Sequence, residues 1–388
     1  MSTDGRIIGS APVPSGEGPY APAVLRGGRL PDRPADPTVH RGEDAHVHRT
    51  VTELADGREL IYYDSAPGRD RGAKDLRPLD PVVSAPELRR DAATGDWVAI
   101  AAHRQSRTYR PAADACPLCP SREGRPSEIP AADYEVAVFE NRFPSLSGAA
   151  GRCEVVCFTP EHDSGFAALT PERARLVLDA WTDRTAELSA RPGTRQVYCF
   201  ENRGAEIGVT LPHPHGQVYA FTTPAPRTVK HLAAAAAHRA ATGRNLFEDL
   251  LAEARAAAER VVLAGEHWTA FVPYAARWPY EVHLYPHRRV ADLTCLDEAE
   301  RAEFPGLYLD LLRRFDRLFG LAEPTPYVSA WHQAPTAGGG ELALHLELFT
   351  VRRAADKLKY LAGTESGMDA FMNDVAPETA ARRLREAR

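Results

Sequence analysis

The feature that most constrains the fold of this 388-residue chain is a faint internal repeat. In each copy an apolar strand leads to a helical segment, and two further strands follow it. The matched stretches are CEVVCFTPEH (153–162), VYCFENRG (197–204) and LPHPHGQVYAF (211–221) in the first copy, and YEVHLYPHRR (280–289), YVSAWHQ (327–333) and LALHLELFT (342–350) in the second. The order strand, helix, strand, strand occurs twice, which predicts an α+β fold of two similar tandem units with helices packed on antiparallel sheets.

The segments around the repeat set the expected domain boundaries. Residues 1–48 are crowded with Pro, Gly, Asp and Arg and show no periodicity, which is typical of a disordered extension. From Thr50 the sequence TVTELADGRELIYYD alternates like a strand pair, with a turn at Asp56-Gly57. The expected parts are the extension, an N-terminal unit over 49–225, a C-terminal unit over 226–375 that begins in a largely helical connector, and a tail helix over 376–388.

Charge and hydropathy exclude several classes of partner. The net charge of −6 and the pI near 6.2 give no basic field for nucleic acid. No apolar run reaches the roughly 20 residues that a membrane span needs, and the first residues lack a secretory pattern, which predicts a cytoplasmic protein. Six cysteines in such a chain indicate thiols or metal ligands rather than a disulfide framework.

The strongest local motif is His213-Pro214-His215-Gly216-Gln217. Pro214 fixes its own backbone angle and favours an extended residue before it, so we expect a strand here. Residues two apart in a strand share a face, which would place the two imidazoles side by side, about 7 Å apart at Cα. Gly216 would let a substrate approach the backbone, and Gln217 offers a donor and an acceptor.

A second motif, Cys116-Pro117-Leu118-Cys119, has the spacing that lets two thiolates bind one zinc ion. By itself the pair could equally be a redox pair or chance. His162 and His213 would complete a Cys₂His₂ set. A zinc ion with four protein ligands has no open position and is structural, so it would fix the strand that carries His215.

A neutral imidazole can attack phosphorus, so His215 is the candidate nucleophile for covalent transfer of a nucleotidyl group. Such a site needs donors aimed at the phosphate oxygens. The candidates near the motif are Gln217, Asn202, Gly208, Val209 and Thr210. Arg104 and Arg107 are spaced to clamp a diphosphate, although a solvated arginine-rich loop explains their spacing as well.

Over about residues 85–372 the chain resembles the galactose-1-phosphate uridylyltransferases, the histidine-triad branch in which two units are fused. The matching stretches are TGDWVAIAAHRQSR, CPLC, VFENRFPSL, VVCFTPEH, ENRGAEIGVTLPHPHGQVYA, EHWTAFVPYAARWPYE, WHQAP, LHLELF and KYLAGTE. The resemblance implies that His215 is the nucleophile, that Gln217 steadies the uridylylated intermediate, and that Cys116, Cys119, His162 and His213 bind zinc. It further implies a nucleotide-sugar site and a homodimer, with the last residues of the site supplied by the partner subunit. The implied site residues are Arg104, Arg107, Asn141, Asn202, Gly208, Thr210, Lys359 and Glu365.

The chain departs from the family pattern at three places. Many members bind a second metal ion with three histidines and a glutamate; here His332 and His345 match, Glu347 stands where a histidine is expected, and His231 lies near the usual glutamate position. This exchanged set would suit a second zinc or iron ion, and an unmetallated relic of the repeat is the alternative. Arg142 replaces an acidic residue in the substrate site. Thr364-Glu365 replaces a more usual Tyr-Glu pair.

The predicted activity is a ping-pong exchange in which UDP-glucose uridylylates His215 and galactose 1-phosphate then takes the group to form UDP-galactose, a step of galactose metabolism (the Leloir pathway). Glu347 would leave the second unit without a nucleophile. A nucleotide-sugar or dinucleoside phosphorylase of the same superfamily is the main alternative. A nucleotide-binding regulator is disfavoured because His215 is present, and a zinc-ribbon adaptor because no second cysteine pair is spaced for it.

Overall fold

The computed structural model describes residues 47–81, 86–106 and 111–388, and these residues form one compact unit. Arg107 and nearly all of the predicted extension lie outside the described ranges. The strands are β1 His48–Glu53, β2 Glu59–Asp64, β3 Glu87–Arg90, β4 Trp97–Ile100, β5 Val136–Glu140, β6 Gly151–Cys157, β7 Gln196–Arg203, β8 His215–Phe221, β9 Val261–Ala264, β10 Trp268–Phe271, β11 Val282–Pro286, β12 Tyr327–His332, β13 His345–Phe349, β14 Arg352–Ala354 and β15 Lys357–Leu358. The helices are α1 Pro171–Ala190, α2 Pro226–Thr242, α3 Leu246–Ala257, α4 Glu298–Arg317, α5 Gly363–Met368 and α6 Pro377–Glu386.

Within the described residues, eleven strands form one antiparallel sheet in the order β1-β2-β5-β6-β8-β7-β12-β13-β11-β10-β9. The predicted repeat is visible in this order, because β2-β5-β6-β8-β7 is mirrored by β9-β10-β11-β13-β12. The two halves meet where β7 pairs with β12, with Glu201 opposite Ser329. The α+β fold of two tandem units is therefore confirmed, and the two units share a continuous sheet.

The two 20-residue helices α1 and α4 begin at strong capping signals. Thr170 caps α1 and accepts a hydrogen bond from the Arg173 amide, with Pro171 at the first helical position. Helix α4 begins after Asp297, which forms a capping box with Glu300. Thr294 lies in a short 3₁₀ turn that precedes the helix.

Both long helices pack on one face of the sheet, where the core is largely apolar and aromatic. Trp181 of α1 lies between Phe166 and Trp331, with ring centroids 5.7 and 6.5 Å away, and Phe304 of α4 lies 5.1 Å from Trp331. Along β8, buried residues alternate with half-exposed ones that begin at His215. Strand side chains alternate between faces, so one face of β8 packs into the core. The other face, which carries His215, is available to form a site.

The predicted strand at 213–217 was wrong at its first two residues. Strand β8 begins at His215, and His213-Pro214 form a bend before it. Pro214 has no amide proton to donate, so it contributes only its carbonyl oxygen, which accepts from the Phe158 amide at 3.5 Å. The predicted turn at Asp56-Gly57 is confirmed, with Gly57 at φ +83°. None of the described helices is long and apolar enough to cross a membrane.

Candidate functional site

A cavity of about 290 Å³ opens on the face of the N-terminal half that the long helices do not cover. It brings together nine of the sequence-predicted site residues: Arg104, Asn141, Arg142, Asn202, Gly208, Val209, Thr210, His215 and Gln217. Phe139, Val155, Phe200 and Tyr219 add aromatic and apolar walls. A concave pocket with apolar walls and a few convergent polar groups is the usual form of a small-molecule site.

His215 is held in one orientation by the backbone. Its Nδ1 lies 2.8 Å from the carbonyl oxygen of His213, and because a carbonyl can only accept, Nδ1 carries the proton. The unprotonated Nε2 is then the nitrogen available to the cavity. Burial lowers the pKa of His215, although the hydrogen bond to His213 opposes that shift. The ring is therefore neutral near pH 7, which is the form that can act as a nucleophile.

The four predicted zinc ligands lie together beside this cavity. The ligand atoms of Cys116, Cys119, His162 and His213 are all within 4.8 Å of one another. Cys119 Sγ lies 3.4 Å from His162 Nδ1 and 3.6 Å from His213 Nδ1. The two-residue gap between the cysteines places both thiols within reach of one metal ion, as the motif predicted.

The surroundings of His213 leave its Nδ1 as a metal ligand. Its Nε2 lies 2.9 Å from the carbonyl oxygen of Thr159, so the proton is on Nε2, and the Tyr134 hydroxyl lies 2.9 Å from the same nitrogen. Burial lowers the pKa of His213 to about 4, which keeps the ring neutral. Burial and the neighbouring Cys116 raise the pKa of the Cys119 thiol to about 12. A bound cation would favour the thiolate and lower that pKa. The donor set fits a tetrahedral zinc ion.

The metal-capable cluster and His215 are joined through one residue. The ring of His213 faces the thiols. The backbone carbonyl oxygen of His213 accepts a hydrogen bond from Nδ1 of His215. The coupling therefore runs through the backbone of His213, whereas the sequence had suggested two rings side by side on a strand.

One other site expectation changes with the structure. Gly216 does not open the backbone to a substrate: a Cβ there would lie 2.8 Å from Phe158 Cζ and 2.9 Å from the Phe200 carbonyl oxygen, on the core side. Lys359 and Glu365, which were expected to reach the site of a partner subunit, lie outside the cavity of their own chain. They form an ion pair with each other, Nζ to Oε1 at 2.7 Å.

Several polar groups of the cavity are fixed by local bonds. Arg104 Nη1 donates to the Phe143 carbonyl oxygen at 2.6 Å, and the Phe143 amide donates to Asn141 Oδ1 at 2.8 Å. Tyr219 donates to Gln217 Oε1 at 3.1 Å. After β7, the chain turns through a 3₁₀ segment to Gly208, whose φ of +85° suits glycine. This turn brings Val209 and Thr210 to the cavity beside His215.

The second cluster of predicted ligands is only partly as expected. His283, His345 and Glu347 are the residues whose ligand atoms lie within 4.8 Å of one another. His332 Nε2 lies 3.3 Å from Glu347 Oε2, while the ring of His231 lies 6.2 Å from that of His345. The sequence analysis missed His283. Its signal was the repeat, since β11 pairs His283 with Glu347 as β6 pairs Cys157 with His215.

The sequence analysis also missed two residues near the first site. Tyr134 holds His213, and Glu128 lines the cavity. Neither belongs to a motif, because each reaches the site from an irregular loop whose path only the fold defines.

The fold and site define an α+β protein of two histidine-triad-like units, in which the cavity that contains His215 lies beside a metal-capable cluster. Residues 147–224 match the family model described as the N-terminal domain of galactose-1-phosphate uridyl transferase, and residues 230–388 match its C-terminal domain. The chain belongs to this family. A galactose-1-phosphate uridylyltransferase of Streptomyces lividans is 56% identical over 88% of this chain and 98% of its own length.

More distant relatives agree with this result. The galactose-1-phosphate uridylyltransferase of Thermotoga maritima is 35% identical over 77% of this chain and 98% of its own length. A solved uridylyltransferase structure superposes with a TM-score of 0.68 at 29% identity, covering 77% of this chain and 97% of the other. The match therefore extends over both units and almost the full length of the relatives.

Proposed function

We propose that the protein transfers the uridylyl group of UDP-glucose to galactose 1-phosphate through a covalent intermediate on His215. The observation that carries this proposal is the orientation of His215, whose protonated Nδ1 is bound to the His213 carbonyl and whose Nε2 is available to the cavity. The family relatives are named for the same reaction.

In the first half-reaction, His215 Nε2 attacks the α-phosphorus of UDP-glucose, and a P–N bond forms. The bond from that phosphorus to the bridging oxygen breaks, and glucose 1-phosphate leaves. The imidazole becomes positively charged while Nδ1 keeps its proton, and the His213 carbonyl oxygen stabilises this charge. A phosphate oxygen of galactose 1-phosphate then attacks, the P–N bond breaks, and UDP-galactose leaves a neutral His215.

The residues around His215 would bind and orient the nucleotide. Arg104, set by its bond to the Phe143 carbonyl, supplies positive charge, and the turn that ends at Gly208, Val209 and Thr210 would receive phosphate oxygens. Gln217 Oε1 accepts a hydrogen bond from the Tyr219 hydroxyl, so the amide nitrogen Nε2 of Gln217 is left to donate to a uridylyl oxygen.

We infer a structural zinc ion held by Cys116, Cys119, His162 and His213. When bound, it supplies a fixed four-ligand anchor for the bend at 213–214 and performs no chemistry on the substrate. We also infer a second metal ion, zinc or iron, at Glu347 and the histidines beside it, which are His231, His283, His332 and His345. Nitrogen and oxygen donors in this combination suit either metal, and this site would be structural as well.

A homodimer is the expected assembly. Lys359 and Glu365 are paired outside the cavity of their own chain, on a segment that exposes large apolar side chains. These are Tyr360, Leu361, Met368 and Met372. A partner that buries this segment could receive the Lys359 and Glu365 groups in its own site. A cytoplasmic location stays a prediction of the sequence.

Isotope exchange tests the proposed reaction. The enzyme is incubated with UDP-glucose and labelled glucose 1-phosphate, with no galactose 1-phosphate. A ping-pong enzyme moves label into UDP-glucose, and His215→Asn abolishes the exchange. Absence of exchange in the native enzyme would contradict the covalent route.

Acceptor competition separates the alternative. With inorganic phosphate and galactose 1-phosphate both present, the proposed enzyme forms UDP-galactose, whereas a phosphorylase forms UDP. Predominant UDP would replace the proposal with the phosphorylase activity.

A further inference from the structure

One carboxylate, that of Glu128, lies in the wall of the cavity that contains His215. Its residue is only 6% exposed. Two arginines hold it: Arg58 Nη2 contacts Oε2, and Arg77 Nη1 lies 3.0 Å from Oε1. Arg58 is itself fixed by Asp56, with Nε 2.8 Å from Oδ2. The carboxylate is therefore paired with two guanidinium groups and rigidly oriented at the cavity wall.

The two arginines leave acceptor capacity on this carboxylate. An ionised carboxylate has about four acceptor positions. Among the described residues, Oε2 accepts from Arg58 and from Arg77 Nη2 at 3.2 Å, and Oε1 meets only Arg77 Nη1. At least one position on Oε1 is therefore open to a donor from the cavity.

The other polar side chains at this wall offer no charged acceptor. Arg104 and Arg142 carry only donors. Asn141 Oδ1 already accepts the Phe143 amide at 2.8 Å, and Gln217 Oε1 accepts the Tyr219 hydroxyl. Within the described part of the chain, Glu128 is thus the charged acceptor of the cavity.

The ribose of a nucleotide carries two hydroxyl groups that can donate to such an acceptor. Carboxylates bind ribose hydroxyls in other nucleotide sites because each O–H can donate to an ionised oxygen. Resting on the proposed function, we propose that Glu128 accepts a hydrogen bond from a ribose hydroxyl of the nucleotide and makes the site selective for ribonucleotides over deoxyribonucleotides.

The position of Glu128 supports this assignment. Glu128 and Arg142 also line a second cavity, about 670 Å³, that lacks His215 and extends past Cys116 and Cys119. Glu128 therefore lies on the side of the first cavity that adjoins the second. With the α-phosphorus at His215, the ribose extends from the phosphate into the remaining space, where Glu128 is in the wall.

The test compares UDP-glucose with its 2′-deoxy and 3′-deoxy analogues in the native enzyme and in Glu128→Gln. We expect the native enzyme to prefer UDP-glucose over at least one analogue by about tenfold or more in kcat/KM, the worth of a hydrogen bond to a charged group. In Glu128→Gln that preference should shrink to a fewfold, because UDP-glucose loses activity and the analogue does not.

A matched control separates recognition from packing. Glu154 is also a buried carboxylate held by two arginines, Arg152 and Arg184, but it lies outside the cavity wall. Glu154→Gln should leave the preference ratio unchanged whatever its effect on stability. Equal losses for all substrates in Glu128→Gln, or a native enzyme indifferent to both deoxy analogues, would overturn the inference. Failure of the native enzyme to turn over UDP-glucose would instead count against the proposed function.

Discussion

The Nδ1 of His215 lies 2.8 Å from the carbonyl oxygen of His213, while the His213 ring turns towards the thiol of Cys119. One residue thus contacts both the metal-capable cluster and the candidate nucleophile. The orientation of His215 depends on the backbone position of residue 213, and a metal ion at the cluster would fix that position. The predictions below follow from this arrangement and from the packing around it.

Loss of a zinc ligand should remove both metal and stability. We expect Cys119→Ser to lose the zinc ion and more than about 2 kcal/mol of unfolding free energy, since binding of a structural zinc contributes directly to folding. Elemental analysis and denaturant unfolding measure the two effects. The control is Cys295→Ser, because Cys295 is exposed and lies outside the cluster. An unchanged zinc content in Cys119→Ser would show that this cluster is not the zinc site.

A side chain at Gly216 should disturb the packing beneath the nucleophile. In Gly216→Ala the added Cβ would meet Phe158 Cζ at 2.8 Å and the Phe200 carbonyl oxygen at 2.9 Å. We expect a loss of about 1–3 kcal/mol of unfolding free energy, as for other overpacked cores, together with reduced kcat. Gly208→Ala is the comparison, because its Cβ meets nothing within 4 Å and only its φ of +85° is strained. Wild-type stability in Gly216→Ala would contradict the packing described for β8.

A buried carboxyl at the seam between the units should make stability depend on pH. Burial raises the pKa of Glu201 to about 7, despite Arg203 nearby and a 2.9 Å hydrogen bond from the Tyr327 hydroxyl. The folded pKa exceeds the unfolded value, about 4.3 for a glutamate. The folded state therefore binds more protons between these values, and this contribution is fully present below about pH 4.3 and lost as the pH rises through 7.

Glu201→Gln removes the titrating group and keeps an acceptor for Tyr327. We expect the variant to match the native protein near pH 4 and to be more stable at pH 8, by an amount on the order of 1–3 kcal/mol. Denaturant unfolding at the two pH values measures this difference. A variant that is less stable than the native protein at pH 8 would show that the carboxylate is stabilised in the seam.

The repeat and the two motifs predicted much of this molecule. The strand, helix, strand, strand order follows from apolar periodicity. The spacing of Cys116 and Cys119 predicts a shared metal site because two cysteines so near in sequence stay close together in the folded chain. The bend at His213 could not be predicted, since Pro214 favours extended geometry in the residue before it but has no amide proton to donate to a neighbouring strand. Glu128 and Tyr134 could not be found either, because they belong to neither motif and irregular loops bring them to the site.

Identification of the covalent adduct tests the central claim most directly. The protein is mixed with UDP-glucose labelled in the uridylyl group, quenched, digested and analysed by mass spectrometry of the peptides. We expect one uridylyl group on the peptide that carries His215, full labelling in His238→Asn, whose ring lies on α2 outside the cavity, and no label in His215→Asn. An unlabelled native protein, or label on another histidine that persists in His215→Asn, would contradict the account.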